Sequence, residues 1–189
     1  MSHWTQQANL TASDGASRDL FGISVAVYCD TSVIGAYVDY DIGVFSGSAY
    51  VFTRSGGTWT QQAKLTASDG ASSDQFGISV AVDGDTAVIG AYWDDDSGIR
   101  SGSAYVFTRS GGTWAQQTKL TASDGAAYDE FGYSVAVDGD TAIIGAYYDD
   151  DNGGSSGSAY VFTKLSVTSE GIFFPVKTQN GSIAIIYIE

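Results

Sequence analysis

The 189 residues carry 8 Lys and Arg against 22 Asp and Glu, a formal net charge of −14. That balance argues against nucleic acid as a partner, because phosphate recognition needs clustered basic side chains, and against an anionic membrane surface. Hydrophobic residues make up 43% and charged residues 16%, so there is material for a core, yet no apolar run approaches the roughly 20 residues that cross a bilayer. The start, Met1-Ser2-His3-Trp4, lacks a basic segment followed by an apolar one; for an exported product the signal is expected outside this chain, or the route to be unconventional. One cysteine, Cys29, and one histidine, His3, exclude an internal disulfide, a Ser-His-Asp or Cys-His site and a zinc site of His and Cys ligands.

The first element in chain order is Trp4 to Thr11, which reads as a strand of the outer, fourth type ahead of any first strand of its own unit. Trp4 recurs as Trp59 and Trp114, a step of 55 residues. The same step relates Phe21-Gly22, Phe76-Gly77 and Phe131-Gly132, and then Gly35-Ala36-Tyr37, Gly90-Ala91-Tyr92 and Gly145-Ala146-Tyr147. It also relates Ala49-Tyr50-Val51-Phe52, Ala104-Tyr105-Val106-Phe107 and Ala159-Tyr160-Val161-Phe162. A fixed period of this size marks an array whose units bury their faces against neighbours.

The second copy shows the unit: strands at Gly77–Val82, Thr86–Tyr92, Ser103–Thr108 and Trp114–Thr121. Asp83-Gly84-Asp85 and Arg109-Ser110-Gly111-Gly112-Thr113 are hairpin turns between them. The first three strands are apolar at nearly consecutive positions, as when both faces are covered, and the fourth alternates like an outer edge. Four strands of graded burial make a propeller blade, so the fold class is all-β, three four-stranded blades. The organisation is 4–58 with the first strand as a clasp, 59–113, 114–164, and a distinct tail, 165–189. In the tail, Asn180-Gly181 between two apolar runs predicts a hairpin, and Pro175 favours an edge strand. That hairpin could supply blade three's fourth strand, dock on a neighbouring subunit or cap an open face.

The pattern W-x-Q-Q-x-K-L-T-A-S-D-G-A, then F-G-x-S-V-A-V-D-G-D-T-A-x-I-G-A-Y, then S-G-S-A-Y-V-F resembles the FG-GAP repeat over Trp4 to Lys164. Phe76-Gly77 and Phe131-Gly132 match its FG element; Gly90-Ala91-Tyr92 and Gly145-Ala146-Tyr147 match its GAP element, with Tyr in place of Pro. The resemblance implies the propeller of integrin alpha chains and microbial surface proteins, a binding or adhesion role outside the cell, and no catalysis. The integrin-type calcium loop does not carry over. Its place holds Asp83-Gly84-Asp85 and Asp138-Gly139-Asp140, and Tyr28-Cys29-Asp30 in the first copy, too short for the roughly six to eight oxygens calcium takes.

Three blades leave two apolar faces open, where the resemblance implies about six or seven blades to close a ring. The expectation is a homo-oligomer in which copies cover these faces, as a ring or a filament, with the chain as a fragment of a longer array as the alternative. Trp4, Leu10, Ile172, Phe173, Phe174, Ile185 and Tyr187 are the residues expected to carry assembly.

No cofactor is required. The one candidate is calcium at the acidic loops between second and third strands: Asp39 and Asp41; Asp94, Asp95 and Asp96; Asp149, Asp150, Asp151 and Asn152. Clustered carboxylates repel and a hard cation relieves them; solvated turns explain the same residues. Asp19, Asp74 and Asp129 read as loop-closing structural residues. Tyr37, Tyr92, Trp93, Tyr147 and Tyr148 beside the loops could hold a cell-surface glycan or protein, or pack between blades. Cys29, in a turn position held elsewhere by Gly84 and Gly139, is expected at the surface.

Overall fold

The computed structural model describes residues 3–165 and the backbone of three further strands in the tail. Blade one is β1 (Val25–Tyr28), β2 (Thr31–Ala36), β3 (Ser48–Ser55) and β4 (Thr58–Leu65), antiparallel in that order. Blade two repeats it with β5 (Ser79–Asp83), β6 (Thr86–Ala91), β7 (Ser103–Ser110) and β8 (Thr113–Leu120). Among the described residues blade three has β9 (Phe131–Asp138), β10 (Thr141–Ala146) and β11 (Ser158–Thr163), with β11 at the edge of its sheet. The turn chemistry explains the hairpins. Gly111 and Gly112, at φ 56° and 82°, supply the paired left-handed residues of a two-residue turn between β7 and β8.

The phenylalanine of each Phe-Gly pair is the keystone of its blade. Phe76 meets Tyr105 and Phe107 edge-on, with centroids 5.5 and 6.0 Å apart, and Phe131 meets Tyr160 and Phe162 at the same spacings. Blades pack face to face. Val33, Val51 and Leu65 of blade one share a core with Val80, Val82, Ile89 and Phe107 of blade two. Val88 and Ala104 on blade two's other face share one with Phe131, Ala142 and Ile144 of blade three. Blade two is thus covered on both sides, as its continuous apolar strands predict.

Two expectations need correction. Trp4–Thr11 forms no strand: Trp4 is fully exposed, and Leu10, with Ala12 just beyond, packs against Ile34, Tyr50 and Phe52 of blade one. The strand sequence is present but the ladder it needs is not, because the third strand of a preceding blade is not among the described residues. The tail does not complete blade three either. It makes its own antiparallel sheet of β12 (Val167–Thr168), β13 (Gly171–Lys177) and β14 (Ile183–Ile188), a local pairing that needs no distant partner. The β13–β14 hairpin is the predicted one, with Lys177 opposite Ile183; Asn180-Gly181 lies outside the described residues. Pro175 faces Ile185 on one flank, and β12 reaches only Gly171 and Ile172 on the other, so the proline sits on an edge. Ile172, Phe173, Phe174, Ile185 and Tyr187 fall in these strands, and their side chains lie outside the described residues.

Candidate functional site

Each blade joint is a backbone seam with the same contacts. In the first, Ser24 Oγ donates to the Gly77 carbonyl at 2.7 Å, Phe76 N–H donates to the Ser46 carbonyl at 2.9 Å, and Gly47 and Phe76 form a parallel bridge. In the second, Ser79 Oγ donates to the Gly132 carbonyl at 2.7 Å, Phe131 N–H to the Ser101 carbonyl at 2.9 Å, and Gly102 bridges Phe131. This closeness is why the Gly-Ala-Tyr glycine is a glycine: a methyl on Gly35 or Gly90 would overlap the carbonyl oxygen of Gly77 or Gly132. Gly145, the third copy, meets no such carbonyl.

The unused halves of this seam lie at the two ends. Val80 and Val82 are 9% exposed within the first joint, whereas their blade-one counterparts Val25 and Val27 are 68% and 69% exposed. Val88 is fully buried in the second joint, whereas its blade-three counterpart Ile143 is 45% exposed, with Val161 beside it at 66%. One end presents the face that each blade offers backward, and the other the face that each blade offers forward.

The acidic loops hold a cation of their own. Lys64 Nζ reaches Asp14 at 2.6 Å, Asp39 at 3.1 Å and also Asp41. Lys119 Nζ reaches Asp69 at 2.9 Å, Asp94 at 2.9 Å and Asp96 at 2.5 Å. Asp39, Asp94 and Asp149 are buried and accept from Tyr50, Tyr105 and Tyr160 at 2.7, 2.9 and 2.6 Å. Each also accepts from the backbone N–H two residues on, the geometry of a self-closing turn. So in the first two loops lysine occupies the place proposed for calcium. Among the described residues no group of His, Cys, Asp or Glu has the arrangement to hold a metal ion. The lysines were the residues missed by sequence reasoning, although their recurrence opposite carboxylates at the same period was visible.

Electrostatics follow this pairing. Lys64 lowers the Asp14 carboxyl below its ordinary range. Burial disfavours the charge of Lys119, but hydrogen bonds to Asp96, Asp69 and Asp94 outweigh it and hold the ammonium above its ordinary 10.5. The third loop has no lysine at the equivalent place. There the exposed Asp151 carboxyl is raised by its neighbours Asp149 and Asp124, while Tyr160 holds Asp149 down. Asp95 accepts from Arg100 N–H at 2.7 Å; Asp150 and Asn152 are exposed. Asp19, Asp74 and Asp129 are buried and accept from Ala16, Ala71 and Ala126 N–H at 2.5 to 2.7 Å, closing their loops. Burial pushes the Asp74 carboxyl up to about 6.

The structure brings four of the five aromatic candidates into one ribbon. Trp93, Tyr92, Tyr133, Tyr147 and Tyr148 follow one another with centroids 5.3, 5.5, 4.2 and 4.1 Å apart. Tyr37 is not part of it. Tyr133 is the link that period-based reasoning passed over, since Ile23 and Ile78 hold its place in the other copies. Arg100 lies 3.9 Å over the Trp93 ring, and Trp93 Nε1–H donates to Glu130 at 3.3 Å. The other Glu130 oxygen is buried without a hydrogen-bond partner. Cys29 is exposed, as expected.

The FG-GAP repeat family model matches residues 4–52, 59–107 and 114–162. No curated protein matches the chain.

Proposed function

From the premise that the chain belongs to the FG-GAP repeat family, whose repeats are generally non-catalytic binding modules, we propose a structural or adhesive module that joins copies of itself end to end, outside the cell. The observation that carries this is the seam made twice within the chain with the same contacts, while its two halves stand exposed at Val25 and Val27 and at Ile143 and Val161. An apolar patch whose complement is the other end of the same molecule favours a head-to-tail contact. Such a contact gives a ring where its rotation closes and a filament where it does not.

Sedimentation of three proteins tests this. The unaltered chain assembles as concentration rises. Val25→Asp and Val161→Asp each stop assembly, because each spoils one end. Mixed, they form a one-to-one pair, because one good end of each remains. A chain that stays monomeric at high concentration, or a mixture that fails to pair, overturns the proposal. Surface labelling of producing cells checks the location.

The aromatic ribbon favours a second reading, a glycan-binding face. Closely spaced, tilted and exposed tyrosine rings beside a buried, unpartnered Glu130 oxygen are suited to a sugar's apolar face and hydroxyls. Binding to a panel of immobilised glycans, lost on Trp93→Ala, supports it; no binding retires it.

A further inference from the structure

A groove of about 640 Å³ opens between blades two and three, beside the edge where blade three lacks a fourth strand. Between blades one and two the same place is filled by Trp114. Its indole lies in the core with Val33, Val51, Ala63 and Leu65, its Nε1–H donates to Gln62 at 3.3 Å, and Arg109 sits 5.3 Å over its ring. One repeat further on, these six partners become Val88, Val106, Thr118, Leu120, Gln117 and Lys164, and all six line the groove. What is missing is the indole: the residue one repeat after Trp114 is Ser169.

One segment of the chain has the complementary sequence. Trp4-Thr5-Gln6-Gln7-Ala8-Asn9-Leu10 differs from Trp59-Thr60-Gln61-Gln62-Ala63-Lys64-Leu65 of the β4 strand at a single position, Asn9 for Lys64. It is exposed, and among the described residues it has no strand partner, while β11 is the edge of its sheet where β3 and β7 carry β4 and β8. Within one molecule this segment is tied to the far face of blade one, by Leu10 against the Ile34 cluster and by Ser13 N–H donating to Gln61 at 2.9 Å. Blades one and two therefore separate it from the groove.

Resting on the end-to-end association proposed above, we infer that the groove is a socket for the Trp4–Leu10 segment of a second copy. The segment adds to β11 as an antiparallel fourth strand. By the register of β7 on β8, Trp4 lies opposite Lys164 and Leu10 opposite Ala159. Trp4 then fills the groove with its N–H on Gln117. Asn9 arrives beside Asp124, Asp149 and Asp151, an uncharged donor where Lys119 stands in blade two. The donor's blade one is thereby set against blade three of the acceptor, as blade two is set against blade one.

A fluorescent peptide of residues 3–13 is titrated into the full chain carrying Val25→Asp, which blocks end-to-end contact and leaves the groove free. Saturable one-to-one binding is expected. It weakens roughly tenfold or more with Trp4→Ala in the peptide, as for a buried aromatic anchor. It is also lost with Thr118→Glu, an exposed position that leaves the fold intact. No saturable binding, or binding indifferent to Trp4, overturns the socket. If the unaltered chain assembles and Trp4→Ala assembles equally well, end-to-end association stands and strand donation falls. If the chain never assembles but the peptide binds through Trp4, the socket stands and the association reading falls.

Discussion

Blades two and three carry almost the same sequence but differ in surroundings. Blade two has four strands and a neighbour on each face; blade three has three strands and a neighbour on one face. Val106 is half-buried and its copy Val161 lies open; the tyrosines Tyr105 and Tyr160 make the same bond to aspartate, one with lysine overhead and the other without. In a repeat array the residue sets what a position can do, and the adjacent unit decides what it contributes. Identical substitutions at equivalent positions should therefore have different consequences.

The widest gap is expected among the tryptophans. Trp114→Ala empties the packed joint between blades one and two and should cost about 3–5 kcal/mol, read as a fall in melting temperature of a monomeric background. Trp59→Ala, at a half-exposed position, should cost less than half as much. Trp4→Ala should leave the monomer's melting point unchanged. Equal effects of Trp59→Ala and Trp114→Ala would break the comparison. Next come the glycines. Gly90→Ala forces a methyl into the Gly132 carbonyl and should cost roughly 3 kcal/mol. Gly145→Ala meets only the Ser134 hydroxyl, which can rotate away, so the monomer loses under ~1 kcal/mol while assembly is blocked.

The ion-pair loops come third. Lys119→Met leaves Asp94 buried beside Tyr105 without its cation; because the lysine and two of its carboxylates are partly exposed, about 2 kcal/mol is expected rather than the full cost of breaking a buried pair. The pH signature has a definite sign. Lys119 binds its proton more tightly in the folded chain, so its stabilisation is complete below 10.5 and is lost as pH rises toward the higher native value. Melting temperatures from neutral pH to above 10.5 should fall more steeply for the unaltered chain than for Lys119→Met. Parallel curves would show that the lysine's contacts are not formed in solution. Because an ammonium already sits among the carboxylates of the first two loops, a calcium chelator should leave the stability that these two loops contribute unchanged.

Eleven blade strands were legible because apolar runs recur at a constant step, punctuated by Gly-Gly turns in blades one and two and by Asp-Gly turns in blades two and three; the expected fourth strand of blade three is not found among the described residues. The open faces were legible too, since Val25, Val27 and Val161 have the composition of buried positions. Two things were not. Strand propensity at Trp4–Thr11 says nothing about whether a ladder partner exists, and that partner decides the outcome. The loop carboxylates suggested a metal because charge clusters show locally in sequence, whereas Lys64 and Lys119 arrive from a different strand, 25 residues away from Asp39 and Asp94.

The smallest expected effect concerns Cys29, where blade one departs from blade two. Gly84 and Gly139 turn their hairpins at φ 56° and 55°, and Cys29 is held at φ 50° in the same place. A side chain with a β-carbon is crowded by the carbonyl oxygen in that left-handed region, at a cost of roughly 1–2 kcal/mol. Restoring glycine relieves that strain but gives the unfolded chain more freedom, which offsets about 0.4–1 kcal/mol of it. Cys29→Gly should therefore raise stability by under ~1 kcal/mol, whereas Gly84→Cys in blade two should lower it by a similar amount. Substitutions of opposite sign at equivalent turns would show that the two hairpins share one geometry. A destabilised Cys29→Gly would mean that the thiol makes a contact worth more than the strain it imposes.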